Sequence, residues 1–324
     1  MKSLPATDGA RPTELMAPAS SLASAELALD AGADALYAGV TNLSMRPKRV
    51  EFHDDAFPQL VELVHSRQKK IYAVTNVFLK EQDWDYFKAK MDEIVEIGPD
   101  ALIMGDIGAI SYVREVYPEM PVHVSIQTSI ANSEAARFYR DLGAEVVVVS
   151  RSIRDMGELR RIVEDVPDVD LEVFVHGGIC FMFDGNCMMS SYWKQEWAHD
   201  DFLGRERLVG QNNTKGECQL VCKRDCSLTD GGDAVQAEGR LMRRPDQVGL
   251  EDIPFLLDSG IRILKIEGRA MPDAYIAQAT ALYRGAIDLY RQDPERFAIP
   301  DEWSGSIEEL LEARREYERK WHIA

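Results

Sequence analysis

Five cysteines fall within the 47 residues from 180 to 226, as Cys180-x6-Cys187 and, beyond a polar gap, Cys218-x3-Cys222-x3-Cys226. Two groups of soft ligands at short spacing can converge on one ion or cluster. Thiolate sulfur selects zinc, copper(I) or iron–sulfur chemistry over hard cations. The x6 gap is wide for a zinc knuckle, whereas iron–sulfur clusters take four thiolates at varied spacings. The odd count fits a disulfide framework badly, and in a reducing compartment such cysteines are ligands or nucleophiles.

The elements that must position these thiols follow a repeated unit. A helical stretch ends at a glycine, then comes a small or acidic residue and a short apolar run: AGADALYAGV from Ala31, IGPDALIMGD from Ile97, LGAEVVVVS from Leu142 and SGIRILKIEG from Ser259. Glycine suits the left-handed position that terminates a helix. The runs are apolar on both faces, as in strands covered on both sides of a parallel sheet.

Such strands are expected near Glu14–Ala17, Ala35–Gly39, Ile71–Asn76, Ala101–Gly105, Val122–Gln127, Glu145–Ser150, Glu172–His176 and Arg262–Glu267. Helices are expected between the earlier ones, for example at Ser24–Ala31, Pro58–Arg67, Asp83–Ile97, Ser133–Leu142 and Met156–Val163. Eight regular βα units predict an α/β fold, a (β/α)8 TIM-like barrel. A doubly wound open sheet shares the alternation. The whole chain, 1–324, reads as one barrel domain, with a cysteine-rich insertion after strand 7 at 177–246. Loops of that length inside a compact domain are usually functional. Ala274–Arg291 reads as a closing helix. The C-terminal tail, 300–324, carries a charge-rich helix (EELLEARREYERKW) expected to be solvated or subunit-facing.

Chemistry in such barrels sits at the C-terminal ends of the strands. Polar residues there are candidates: Asn76, Gln127 and Asn132 for substrate or for hydrogen bonds to the loop backbone, and Arg151 for substrate, with Arg46 in the basic stretch MRPKR as a further anion contact. Glu267 and Arg269 in KIEGR flank a glycine and are catalytic candidates: Arg269 can grip a carboxylate bidentately, and Glu267 either serves the chemistry or pairs with an arginine inside the barrel. His176, four residues before Cys180, is an acid/base candidate, a tuner of the metal site, or a satisfied structural histidine.

Composition narrows the function classes. Hydrophobic residues make up 45%, enough for a full core, and the net charge of −18 argues against nucleic acid as a partner. No apolar run approaches the roughly 20 residues of a membrane span. The start, MKSLPATDGARPTEL, lacks the apolar core of a secretory signal. A soluble, cytoplasmic protein with no transmembrane segment is expected.

The segments LEVFVHGGICFMFDGNCMMSSYW and GECQLVCKRDCSL resemble the collagenase-like U-type peptidase family, which includes UbiU, UbiV and the RNA hydroxylases RlhA and TrhP. ELMAPASSLASAELALDAGADALYAGV, HVSIQTSIANSEAARFY, LKIEGRAMPDAYIAQATALYRGAID and REYERKW extend the resemblance over nearly the whole chain. It is closest to the UbiU branch, which serves ubiquinone biosynthesis.

That resemblance implies oxygen-independent hydroxylation supported by a [4Fe–4S] cluster, with prephenate or a similar molecule as hydroxyl donor. The family's G-x-C-x6-C-x2-S segment falls on Gly178, Cys180, Cys187 and Ser190. The third ligand falls on Cys218 and the fourth on Cys222, with Cys226 as the alternative; zinc is the alternative metal. Phe183-Asp184-Gly185-Asn186 stands where the family usually has S-G-R, which bears on substrate. The implied acceptor is a small aromatic or quinone-like molecule, and the implied partner a UbiV-like paralogue in a hetero-oligomer. Alternatives are a peptidase, a non-catalytic iron–sulfur or zinc assembly subunit, and an RNA base hydroxylase. No H-E-x-x-H helix or G-x-S-x-G elbow supports hydrolysis.

Overall fold

The computed structural model describes residues 12–45, 51–53, 55–153, 155–192, 195–200, 205–210, 218, 220–232 and 234–321. Eight parallel strands form the barrel: β1 (Glu14–Ala19), β2 (Ala35–Val40), β3 (Lys70–Thr75), β4 (Ala101–Met104), β5 (Val122–Val124), β6 (Val146–Val148), β7 (Asp170–Gly178) and β8 (Ile263–Ile266). Each pairs with the next. β1 also pairs with β8 through Glu14↔Ile263, so the sheet closes and the open-sheet alternative is excluded.

Helices α1 (Leu22–Asp30), α2 (Ala56–Ser66), α3 (Trp84–Ile97), α4 (Ile107–Val116), α5 (Ser133–Asp141), α6 (Met156–Asp165) and α7 (Ile253–Asp258) lie between strands, and α8 (Asp273–Gln292) follows β8. Ser21 starts α1 with a capping box to Ser24, which satisfies amide groups that the first turn would leave unpaired. Strand side chains alternate. Leu15, Leu36, Val147 and Leu264 face the helices in the main core, while Met16, Tyr37, Tyr72 and Ile263 fill the barrel.

The interior departs from the expected apolar face. Glu14 accepts from Tyr72 Oη at 2.7 Å and from Arg262 at 2.6 Å. Higher up, Lys265 Nζ lies 2.6 Å from Glu172, whose other oxygen is 3.6 Å from His123 Nδ1. Burial pushes the Glu172 carboxyl up, but the Lys265 charge and His123 more than reverse this and hold it below the usual carboxylate range. Burial holds the Lys265 ammonium below its ordinary value, against the pull of Glu172. Charges this deep persist only as pairs.

The segment from β7 to α7 holds a helical turn (Met188–Tyr192), a hairpin (Gln195–Asp200 with Arg205–Gly210), a 3-10 turn (Val221–Lys223) and a second hairpin (Cys226–Thr229 with Val235–Gly239). A short strand, Asp246–Val248, then pairs antiparallel with the end of β7.

The C-terminal helix α9 (Trp303–Trp321) corrects the reading of a solvated tail. Arg314 is only 2% exposed and Glu318 3%. Arg314 Nε lies 3.2 Å from Asp246 and 3.1 Å from Glu318, and Glu318 also faces Lys223, Arg240 and Arg243. One face of the helix, with Arg314 and Glu318, is thus part of a buried network, while Glu308, Glu309, Glu312, Glu316 and Arg319 stay exposed. Among the described residues no helix is long and apolar enough to cross a membrane.

Candidate functional site

Cys180, Cys187, Cys218 and Cys222 come from separate stretches of the insertion, yet all four line one cavity of about 120 Å³ at the C-terminal mouth of the barrel. By comparison a single water needs roughly 10–15 Å³. Among the described residues no group of three or more His, Cys, Asp or Glu is placed to hold one metal ion. The four cysteines share the wall of a cavity with room for more than a single ion.

Local sequence fixes each of them. Gly185, at φ +75°, lies so close to Gln127 that a Cβ there would sit 2.0 Å from the Gln127 carbonyl oxygen. Ser129 Oγ donates to the Asp184 carbonyl at 2.7 Å, tying the same loop to the end of β5. The Ser190 amide donates to Cys187 Sγ at 3.3 Å. Asn76 Oδ1 accepts from Met45 N at 3.0 Å, and the Met45 carbonyl accepts from Cys218 N at 2.9 Å. A strand-end amide thus seats the third cysteine through one intervening residue. Cys222 sits in the 3-10 turn, which Leu220 enters at φ 52°.

The thiols feel one another. Burial pushes Cys180 up to about 12, with Asp184, Cys218 and Cys222 adding to the rise. Cys222 is raised by burial, then by Cys218 and Cys187, while Lys223 pulls the other way. Lys223 is buried, and its Nζ has no hydrogen-bond partner among the described residues. A cationic metal group would offset the burial and the mutual repulsion that raise Cys180 and Cys222.

Cations and aromatic rings form part of the remaining wall. Lys265 Nζ stands 4.2 Å from the Tyr37 ring centroid, and the Arg151 guanidinium 3.8 Å from that of Phe174. Arg151 also donates to the Gly178 carbonyl. Arg269 donates to Ser44 Oγ at 2.7 Å and lines the same space. Glu267 Oε2 accepts from Arg314 at 2.6 Å and from the Gly178 amide at 3.0 Å. A Cβ on Gly178 would lie 2.7 Å from the Arg314 guanidinium and 2.9 Å from Lys223 Nζ, so this glycine admits both cations.

The structure brings Asn76, Arg151, Glu267 and Arg269 to the cavity with the four cysteines, and separates several other candidates from it. Asn132 is exposed and caps α5 by accepting from Ala135 N at 2.9 Å, so a helix-start role replaces the expected ligand contact. Gln127 is buried beneath the cysteine loop, with neither side-chain polar atom hydrogen-bonded among the described residues, and it does not line the cavity. Cys226 sits in the second hairpin, its thiol 3.5 Å from the Gly239 carbonyl. Arg46 lies outside the described residues.

His176 is a buried structural histidine rather than an acid/base facing the cavity. Its Nε2 is 2.7 Å from Tyr275 Oη, and its Nδ1 is 3.4 Å from Tyr283 Oη. Tyr283 donates to the Val175 carbonyl and Arg314 to Tyr275. These directions assign the neutral ring with hydrogen on Nδ1. Burial, then the Arg314 charge, lowers His176 from 6.5 to about 4.

Sequence reasoning missed Tyr37, Lys223, Lys265 and Arg314 as cavity residues. Lys265 carried a signal: Ile263, Lys265 and Glu267 share one face of a period-two strand. Arg314 carried none, because its neighbours read as a solvated helix.

Over 304 residues the chain is 31% identical to tRNA hydroxylation protein P1 of Bacillus subtilis, covering 92% of this chain and 67% of that protein. It is 31% identical over 307 residues to tRNA hydroxylation protein P of Escherichia coli, covering 85% and 68%. Among solved structures, the octameric ribulose-1,5-bisphosphate carboxylase/oxygenase of Pyrococcus horikoshii in complex with sulfate is similar with a TM-score of 0.50, at 13% identity, over 95% of this chain and 63% of that one. That likeness is one of fold alone. The family model of Peptidase family U32 matches residues 20–322, and the chain belongs to that family.

Proposed function

We propose that this protein holds a [4Fe–4S] cluster on Cys180, Cys187, Cys218 and Cys222, and with it supports oxygen-independent hydroxylation of a small aromatic or quinone-like ring. The observation that carries this reading is the convergence of four cysteines on one cavity that also presents Arg151, Arg269 and Lys265. A cluster holds its thiolates apart by its own width. One zinc, at Zn–S bonds of about 2.3 Å, would draw them together. Cys222 lines the cavity and Cys226 does not, which favours Cys222 as fourth ligand.

When bound, such a cluster, with each iron held by a cysteine, would supply electron transfer. The chain's own residues do the rest. Arg269 and Arg151 grip the carboxylates of a donor such as prephenate, and Lys265 over Tyr37 adds a third positive charge beneath it. Glu267, held by Arg314 and the Gly178 amide, faces the same space as a proton acceptor. Met182, Ile179 and Val221 exclude water from the thiols. A UbiV-like paralogue is the proposed partner, and the cytoplasm the proposed location.

A second reading takes an RNA base as acceptor, and the two tRNA hydroxylation proteins favour it. The net charge of −18, which suggested no nucleic-acid partner, describes the whole surface and not a local contact. Profiling a deletion strain separates the two. Loss of a hydroxylated small aromatic supports the first reading, and loss of a hydroxylated nucleoside from bulk RNA supports the second. No change in either, with peptide turnover by the purified protein, would return the family's peptidase label to the lead.

A further inference from the structure

A second cavity, of about 350 Å³, uses the segment from Ile179 to Asp184 as a wall shared with the first. Its other sides come from Ser150, Arg151 and Ser152 after β6 and from Arg244. Phe181 and Phe183 face it, and Phe183 is 71% exposed. Large apolar rings left open beside a cavity favour a planar partner, which buries them by stacking. The polar groups are mixed in sign. Ser150 Oγ is 3.0 Å from Ser152 Oγ and donates to Asp184 at 3.4 Å, while the two arginines only donate. With Arg151 turned to the Phe174 ring and the Gly178 carbonyl, Asp184 balances Arg244, and the wall selects neither an anion nor a cation. It suits a neutral ring whose edge both donates and accepts. Cys180 lies in the shared wall, so such a ring would sit next to the thiol group of the first cavity.

We propose that this second cavity binds the acceptor as a planar ring, a phenol or a pyrimidine, stacked against Phe181 and Phe183 with its polar edge toward Ser152, Asp184 and Arg244. Naming this ring the acceptor rests on the hydroxylase reading above; the binding itself does not. Two variants at exposed positions test it in the full-length protein: Ser152→Trp fills the cavity, and Phe183→Ala removes a stacking face. Calorimetric titrations use 4-methylphenol and uridine as separate probes, with iron measured on the same samples. The expected result is that one probe binds the unaltered protein and is weakened about tenfold by each variant, the size expected for a lost ring stack. Weakened binding of 4-methylphenol assigns a free phenol, and weakened binding of uridine a pyrimidine. The proposal is overturned if neither probe binds, or if both variants bind as tightly as the unaltered protein. Ring binding by protein that carries no iron would count against the cluster reading while leaving this site intact.

Discussion

Arg314 on α9 donates to Glu267 at the end of β8 across 2.6 Å, with the arginine buried and both residues lining the cysteine cavity. The C-terminal helix is thereby part of the barrel's working face. Replacing Arg314 with Leu leaves Glu267, Glu318 and Asp246 without their shared cation. Removing one partner from a buried charge network costs about 3–5 kcal/mol, so the urea midpoint is expected to fall sharply. Arg314→Lys keeps the charge without the fork and should lose less. An unchanged midpoint in both variants would mean the network contributes nothing.

Lys265 and Glu172 make a second test inside the barrel. Glu172 is 0% exposed, with His123 as its other neighbour among the pairs described. Lys265→Met alone should destabilise by about 3–5 kcal/mol, because it strands a buried carboxylate. Combining it with Glu172→Leu should recover much of that loss, since two apolar groups replace the pair. Equal stability of the single and double variants in denaturant titration would refute the coupling.

His176 gives a pH signature. Its folded value of about 4 lies below the ordinary 6.5, so between these values the unfolded chain takes up a proton that the folded protein refuses. The contribution is fully present above about pH 6.5 and is lost as pH falls toward 4. Over that window the loss is on the order of 3 kcal/mol. His176→Gln should flatten the stability profile there, read by denaturant titrations at several pH values. An identical slope in both proteins would contradict the buried neutral ring.

The strands were legible because helix, glycine and apolar run recur. Gly32, Gly98, Gly143 and Gly260 all take positive φ, as their place at helix ends required. The cysteine window and the strand-end residues Asn76, Arg151, Glu267 and Arg269 were legible for the same reason: barrel topology puts strand C-termini at one mouth. Asn132 misled because an amide before a helix serves equally as a cap or a ligand contact, and local sequence cannot separate the two. Arg314 and Glu318 were hidden because burial of a charged helix face depends on partners far away in sequence. Glu267 was legible as a partner for an arginine, but nothing local named Arg314 as that arginine or marked Asp246 as its second partner.

Gly185 links the cysteine loop to the end of β5. Gly185→Ala combines a strained positive φ with a Cβ 2.0 Å from the Gln127 carbonyl oxygen, so the loop must move. The far-ultraviolet dichroism of the barrel should persist while bound iron falls. Full iron retention in this variant would show that the loop seat is not needed to hold the thiols.

Iron and sulfide analysis of anaerobically purified protein tests the central claim most directly, run on the unaltered chain and on Cys222→Ser and Cys226→Ser. The account predicts about four irons and four sulfides per chain with broad absorption near 400 nm, loss of both in Cys222→Ser, and full retention in Cys226→Ser. A colourless protein with about one zinc per chain, or iron lost from Cys226→Ser and kept in Cys222→Ser, would contradict it.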